Sequence, residues 1–199
     1  MKRALCLLLV TIFIAASANS VSAAFFMDIS GHWGEFYIDS AAETGVIVGF
    51  PNGAFKPEAT LTKGQFLSVA SNLYKLGSTV SPAGHWASDH YRKAFAKQAI
   101  PPTWNNRTNL DSPVTREDMA FIVAKLGNFI YEDSPVSDGQ NMFSDSNSIA
   151  EYAMDAVIAL TGSMILTGMG NGKFEPKSAL TRVQACVIAT KILEFQNRT

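Results

Sequence analysis

The sequence lacks an excess of charge of either sign, which limits the partners it can have. Lys and Arg total 16 and Asp and Glu total 17 in 199 residues, so the formal charge is −1. Proteins that hold nucleic acid by its phosphates need a basic surface, so this balance argues against a nucleic-acid partner. Apolar residues are not scarce: the chain is 47% hydrophobic, with thirteen Phe and three Trp, which is enough for a folded core.

Cysteine is also scarce, with only Cys6 and Cys186 in the chain. Two cysteines cannot support a disulfide-rich scaffold. Cys6 falls in the N-terminal leader described next, so the exported chain would keep a single thiol and no internal disulfide. Cys186 lies in an apolar helical pattern, and we expect it to be a core residue.

Long apolar runs occur only at the N-terminus. A basic start, Met1–Arg3, precedes an apolar run over 4–16 and then small residues, which is typical of a secretory signal peptide. We expect the peptide to be residues 1–23, cut after Ala23, with Ala18 as the alternative site. The run is shorter than the roughly 20 residues that a membrane helix needs, so we expect no membrane association after cleavage.

Familiar catalytic and metal motifs are missing as well. The chain has no Gly-x-Ser-x-Gly, no His-Glu-x-x-His and no phosphate-binding Gly-rich loop with Lys. His85 and His90 are five residues apart, which does not place both on one helical face, and no third ligand is evident. The sequence therefore predicts no enzyme, no cofactor and no metal site.

The sequence does contain an internal repeat, present in three copies. The second copy follows the first by 53 residues and the third follows it by about 119. The segments that match are 31–33 with 84–86 and 62–63 with 115–116, and then 26–28 with 143–145, 49–57 with 168–176 and 62–65 with 181–184. The resulting divisions are repeats at 24–76, 77–130 and 142–199, with a polar linker loop at 131–141.

Each repeat predicts a helix after the Trp position, a Gly/Pro loop, and a second helix that begins after a capping Thr. The second helices carry apolar residues at i, i+3, i+4 and i+7, which indicates one buried face. These stripes are Phe66, Val69, Ala70 and Leu73; Met119, Ile122, Val123 and Leu126; and Ala185, Ile188, Ala189 and Ile192. The first helices show Ile38, Ala41 and Ala42; Tyr91, Ala94 and Phe95; and Val157 and Leu160. One short hairpin buries too little to be stable alone, so we expect a mainly α domain with pseudo-threefold symmetry around a shared core.

The residue after each capping Thr is basic, namely Lys63, Arg116 and Arg182. The first turn of a helix has free N–H groups and a positive dipole, so a cation there predicts an anion-binding site at each repeat. The alternative is that each base pairs with a carboxylate or is merely solvated. Trp33 and Trp86 either anchor the packing or offer a flat face for a sugar ring. His32 and His85 are expected to be hydrogen-bonded structural residues.

The repeated pattern Phe-x-Asp, Gly-His-Trp, Gly-x-x-x-Gly-x-Phe-x-Pro and Thr-Arg resembles the S-layer homology domain of bacterial surface proteins. The resemblance covers about Phe25 to Phe195 and implies three tandem repeats folded as a three-pronged spindle. It further implies a secreted, non-enzymatic module at the cell wall or cell surface, which binds anionic, often pyruvylated, secondary cell-wall polysaccharide without a covalent bond.

The resemblance also implies ligand-binding roles by position. Its basic motif residue maps onto Lys63, Arg116 and Arg182, its early Asp onto Asp28 and Asp145, and its Trp onto Trp33 and Trp86. The copies differ: Lys63 lacks the guanidinium fork, the second copy has Ser81 in place of Asp, and the third lacks the Trp, with Ala150 or Tyr152 nearby. The three sites are therefore expected to be unequal, with Arg116 and Arg182 ahead of Lys63.

Two other functions stay open at this point. One is a cell-surface adaptor or surface-lattice protein that uses the same fold to bind another protein. The other is an enzyme acting on wall polymers, with Asp28, Glu35 or Asp145 as acid and base.

Overall fold

A computed structural model describes residues 26–77, 84–105, 109–129 and 142–198. The predicted signal peptide, 1–23, and the predicted linker, 131–141, lie outside the described residues. The fold is mainly α, as predicted, and the described residues contain no β-strand. The helices are α1 (Glu35–Glu43), α2 (Lys63–Leu73), α3 (Ser88–Ala96), α4 (Arg116–Gly127), α5 (Glu151–Gly162) and α6 (Arg182–Gln196), with a 3₁₀ helix at Ser146–Ser148.

The second helix of each pair begins where the capping residues predict. Thr62 and Thr181 accept a hydrogen bond from the N–H of Gln65 and Gln184, and both Gln side chains bond back to the Thr N–H, so both capping boxes are complete. Thr115 accepts from the N–H of Asp118, but no reciprocal bond forms because the Asp118 carboxylate bonds elsewhere. These side chains fix the starting points of α2, α4 and α6.

The two helices of a pair do not pack mainly on each other. We call α1 and α2 the first unit, α3 and α4 the second, and α5 and α6 the third. The second helix of each unit packs on the first helix of the following unit: α2 on α3, α4 on α5, and α6 back on α1. Helices α1 and α3 are nine residues long and bury only two of their own residues each, so they depend on the longer apolar face of a neighbouring helix. This exchange closes the chain into a ring of three units, in which the last helix covers the first.

The centre of this ring is held by backbone hydrogen bonds between the three units. The N–H of Leu61 donates to the carbonyl of Leu180, Leu180 donates to Val114, and Val114 donates to Leu61, at 2.9–3.0 Å. The three side chains are fully buried. Three isolated β-bridges flank the same bonds, between Thr60 and Thr181, Thr62 and Pro113, and Thr115 and Ala179. The three capping threonines therefore surround one common axis.

Most of the predicted core is confirmed, and four residues differ, of which Ala42 and Tyr91 are only half-buried. The α2 and α6 stripes are buried throughout, and Cys186 is buried in the same core. Leu126 is only half-buried at the end of α4. Phe95, which the sequence places on the helical stripe of the second unit, is exposed and stacks on Tyr91. No helix within the described ranges has the length and apolar character to cross a bilayer.

Candidate functional site

The basic residues at the helix starts reach across to a neighbouring unit. Arg182 donates from Nε to the carbonyl of Phe55 at 2.7 Å and from Nη2 to that of Val48 at 2.8 Å. Its guanidinium lies 4.4 Å from the ring centroid of Phe55 and 4.8 Å from that of Phe50. Carbonyl oxygens and ring faces stabilise a buried cation without cancelling its charge, so the side chain can be 93% buried and still cationic.

Arg116 repeats this arrangement in the next unit. Its Nε donates to the carbonyl of Phe174 at 2.8 Å, its Nη2 approaches that of Thr167 at 3.3 Å, and its guanidinium lies 4.9 Å from the Phe174 ring centroid. The residue is 4% exposed, and burial lowers the pKa of its guanidinium, against the raising effect of Glu175 and Asp145. Neither Arg116 nor Arg182 forms an ion pair with a described residue.

The predicted free amides at these helix starts are absent, and that part of the sequence-based anion site was wrong. The N–H groups of Lys63, Arg116 and Arg182 donate to backbone carbonyls of a neighbouring unit at 2.9–3.0 Å. The next N–H in each helix does the same, and the third is taken by the capping Thr. The amides therefore join the units, and only the cationic side chains remain to attract an anion.

Asp28 and Asp145 position the loops that hold the arginines. The carboxylate of Asp28 accepts from the N–H of Phe55 and of Lys56, both at 2.7 Å, and Asp145 accepts from the equivalent Phe174 and Glu175 at 2.8 Å. Burial raises the pKa of each carboxyl, but the amide bonds outweigh it and leave the pKa below its ordinary value. Neither Asp28 nor Asp145 lines a cleft, and both carboxylates instead hold the loop backbone.

Two equivalent clefts bring residues of all three units together. The Trp33 cleft, about 310 Å³, joins Trp33 of the first unit and Arg116 of the second to the third unit, through residues 165–169, Gln184, Val187 and Ile188. The Trp86 cleft, about 260 Å³, joins Trp86 and Arg182 to the first unit, through residues 46–50, Leu61, Gln65, Ser68, Val69 and Asn72. Both indoles are exposed, at 63% for Trp33 and 50% for Trp86, so neither is a buried packing anchor.

The position of Lys63, which corresponds to Arg116 and Arg182 in the repeat, has a different arrangement. Lys63 Nζ lies 4.8 Å from the ring centroid of Trp104, whose side chain is buried. Tyr152 is the residue 119 positions after Trp33, and its hydroxyl donates to Asp118 at 2.6 Å. Its ring packs edge-on against Phe121. Trp33 and Trp86 are exposed in the other two units, whereas Tyr152 is bound to residues of α4.

The histidines before the tryptophans are hydrogen-bonded, as the sequence predicts. Nδ1 of His32 accepts from the N–H of Gly34 at 3.0 Å, so its Nε2 carries the proton and donates to Glu58 at 3.0 Å. His85 repeats this with Ala87 and Asp111. These bonds fix the turns that present the indoles. The described residues contain no cluster of three or more His, Cys, Asp or Glu suited to a metal ion.

Several lining residues were missed from the sequence. The walls at 46–50 and 165–169 are apolar and carry no chemical motif, so only their contact with the arginines reveals them.

Comparison with known families matches residues 25–67 and 143–186 to the S-layer homology domain. The chain is 26% identical to an amylopullulanase of Thermoanaerobacterium thermosulfurigenes, over 85% of this chain and 9% of that protein. It is 25% identical to the exoglucanase XynX of Acetivibrio thermocellus, over 86% of this chain and 16% of that protein. It is 28% identical to an endoglucanase of Bacillus sp. strain KSM-635, over 94% of this chain and 21% of that protein.

The chain thus spans between about a tenth and a fifth of the length of these relatives. The matched segments hold Asp28, Trp33 and Lys63 in one case and Asp145 and Arg182 in the other, while the unit with Trp86 and Arg116 lies between them. Two segments of this chain, residues 25–67 and 143–186, are thus similar to the S-layer homology domain.

Proposed function

We propose that this chain is a secreted, non-enzymatic module that binds anionic secondary cell-wall polysaccharide at the cell surface, with pyruvylated sugar residues as its ligand. The observation that carries the proposal is the pair of clefts in which a buried arginine and an exposed tryptophan stand on facing units. The S-layer homology domain is a binding module, and the family match covers parts of both clefts.

The chemistry of the clefts fits an acidic sugar. Each guanidinium uses Nε and one Nη2 hydrogen for carbonyls, and its other N–H groups have no partner among the described residues. A carboxylate fixed on a sugar ring can accept from those donors, and a charge-assisted hydrogen bond contributes about 1.5–3 kcal/mol. The exposed indole offers the apolar face on which a pyranose ring can pack.

An enzymatic role for the acidic residues has less support. The carboxylates of Asp28 and Asp145 each accept two backbone N–H bonds, and Glu35 accepts one from Gly31 at 2.9 Å. A general acid or base must be free to exchange a proton with substrate. Carboxyls that hold the loops in this way are suited to structure, and among the described residues no Asp or Glu lines either cleft.

Co-sedimentation with purified wall sacculi tests the proposal. The full chain should sediment with untreated sacculi and stay in solution after mild acid has removed the pyruvate ketals. The double variant Trp33→Ala/Trp86→Ala should lose most of its sedimentation, because both indoles are exposed and their removal leaves the core intact.

The matched control is Phe36→Ala/Phe95→Ala, which removes two aromatic rings of similar exposure that line neither cleft. Circular dichroism should be the same for all variants. Full sedimentation of the Trp variant, or of the chain with pyruvate-free sacculi, would contradict the proposal. If the chain does not sediment with sacculi but captures another surface protein, the result would favour the adaptor function.

A further inference from the structure

A second pocket adjoins the Trp86 cleft and shares the Trp86 indole with it. This outer pocket, about 470 Å³, is lined by α2 and α3 residues and by the turn after α1. Trp86 and Asn72 line both the outer pocket and the Trp86 cleft, so the two spaces meet at these side chains. A ligand held in the cleft could therefore extend past the indole without leaving the surface.

The outer pocket contains polar groups that the fold leaves without partners. Ser71 is 4% exposed, and its Oγ is buried with no hydrogen-bond partner in the described structure. The Nδ1 of His90 is in the same condition on the facing helix α3. Buried polar atoms in native proteins are nearly always hydrogen-bonded, so two orphans on one cavity point to hydrogen bonds supplied from outside the chain.

The pocket also has a positive charge at its rim. The ammonium of Lys93 forms an ion pair with Asp89 at 2.6 Å and donates a hydrogen bond to the carbonyl of Gly77. Lys75 is exposed, and its ammonium forms no ion pair with a described residue. Its ammonium can donate to the hydroxyl groups of a sugar, or to an acidic substituent on one.

The corresponding place beside Trp33 shows that these features are not a by-product of the fold. By the repeat offsets, Thr190 stands for Ser71 and Tyr37 stands for His90. There the hydroxyl of Thr190 has a partner, because it lies 3.5 Å from the carbonyl oxygen of Tyr37. The orphaned pair is thus particular to the Trp86 side.

The charged residues at the rim differ as well. Glu194 stands at the position of Lys75 and lies 4.0 Å from Arg198, while Lys191 replaces Asn72. The Trp33 side therefore differs from the outer pocket both in its satisfied polar groups and in the acid at its rim.

We propose that the outer pocket is a second sugar subsite, which holds the neighbouring hexopyranose residue of the same polysaccharide whose acidic residue occupies the Trp86 cleft. This inference rests on the proposed function. Asn72 and Trp86 form the boundary between the two subsites, with the indole available to both sugars. The Trp86 cleft then prefers an oligosaccharide, and the Trp33 cleft, which has an acid in place of Lys75 and a partnered hydroxyl in place of Ser71, does not share that preference.

Tryptophan fluorescence can isolate this cleft. Of the three Trp, Trp104 is buried, so in a Trp33→Phe chain Trp86 is the one exposed indole and reports on its own cleft. The probes are the methyl glycoside of a 4,6-pyruvylated hexose and a disaccharide in which the same residue is linked to a second hexose. The disaccharide should bind about fivefold or more tightly than the monosaccharide, as one or two added polar contacts would give.

The discriminating variant adds Lys75→Glu and His90→Tyr, which install the residues found beside Trp33. It should bind the two probes with equal affinity and keep its affinity for the monosaccharide. Equal affinities in the Trp33→Phe chain, or a disaccharide preference that survives Lys75→Glu/His90→Tyr, would overturn the second subsite while the proposed function stands. If neither probe changes the Trp86 fluorescence, the proposed function fails at this cleft, and the subsite fails with it.

Discussion

Arg116 and Arg182 each hold a loop in place and line a cleft that we propose to bind the ligand, and the two tasks would use different N–H groups of one side chain. Only a guanidinium can reach both carbonyls of the loop and still present donors beyond them, because an ammonium is a single point of contact. The sequence predicts the basic residues and their rank above Lys63. Their burial could not be predicted, because it depends on a loop from another unit.

Arg182→Lys tests this dual role at the level of one residue. The Lys side chain keeps the charge but loses at least one of the bonds to Phe55 and Val48, so we expect the free energy of unfolding to fall by about 1–3 kcal/mol. Urea denaturation measures the change. Arg198→Lys, at an exposed site with a 4.0 Å contact to Glu194, should change it by less than about 0.5 kcal/mol. Equal losses in the two variants would refute a special requirement for the guanidinium at position 182.

Asp28 and Asp145 predict a specific loss of stability in acid. Both have a pKa below the ordinary 3.8 in the folded chain, so the unfolded chain takes up protons first as the pH falls. Their contribution is fully present above pH 3.8 and is lost as the pH falls through the lowered folded pKa. The unfolding free energy should therefore decline below about pH 4.

The double variant Asp28→Asn/Asp145→Asn should be less stable than the parent at pH 7 and should show a shallower decline below pH 4. Asp155→Asn, on the exposed side of α5, is the control and should follow the parent at every pH. Chemical denaturation at a series of pH values gives both slopes, and parallel curves for parent and double variant would contradict the assignment.

At the scale of the elements, short-range patterns gave the helices and their starts but not their partners. The i, i+3, i+4, i+7 stripes mark a buried face without saying which helix covers it. Packing α6 on α1 joins residues more than 130 positions apart, which no local pattern encodes. For the same reason the sequence left the first amides of α2, α4 and α6 free, whereas carbonyls of a neighbouring unit take them.

The capping threonines should contribute unequally to stability. Thr62→Ala and Thr181→Ala each remove a capping box and should cost about 1–2 kcal/mol, while Thr115→Ala removes a cap with no reciprocal bond and should cost less. Thr60→Ala is the matched control, since that residue is exposed and enters its bridge through the backbone. Thermal unfolding ranks the four variants, and a loss for Thr60→Ala as large as for Thr62→Ala would show that the caps are not the cause.

For the whole molecule, the closed ring explains why the Lys63 position differs from the Trp33 and Trp86 clefts despite a repeated sequence. Each cleft draws its Trp, its basic residue and its loop from three different units, so a change in one unit affects more than one cleft. Tyr152 in the third unit and Trp104 in the second both fall on the position that holds Lys63. The sequence predicts unequal sites, but only the ring shows that both departures meet at one of them.

This asymmetry predicts two acidic-sugar sites in each chain. Titration calorimetry with the pyruvylated methyl glycoside should give two sites for the parent, one for Trp33→Ala and one for Trp86→Ala. On intact sacculi the two sites act together, because the first contact holds the second cleft at a high local concentration of ligand. Losing either Trp should then weaken attachment to sacculi by about a hundredfold or more, a far larger effect than on the remaining cleft's affinity for the free sugar. A stoichiometry of three, or equal losses on sacculi and on free sugar, would show that the Lys63 position binds as well or that the two clefts never engage one surface together.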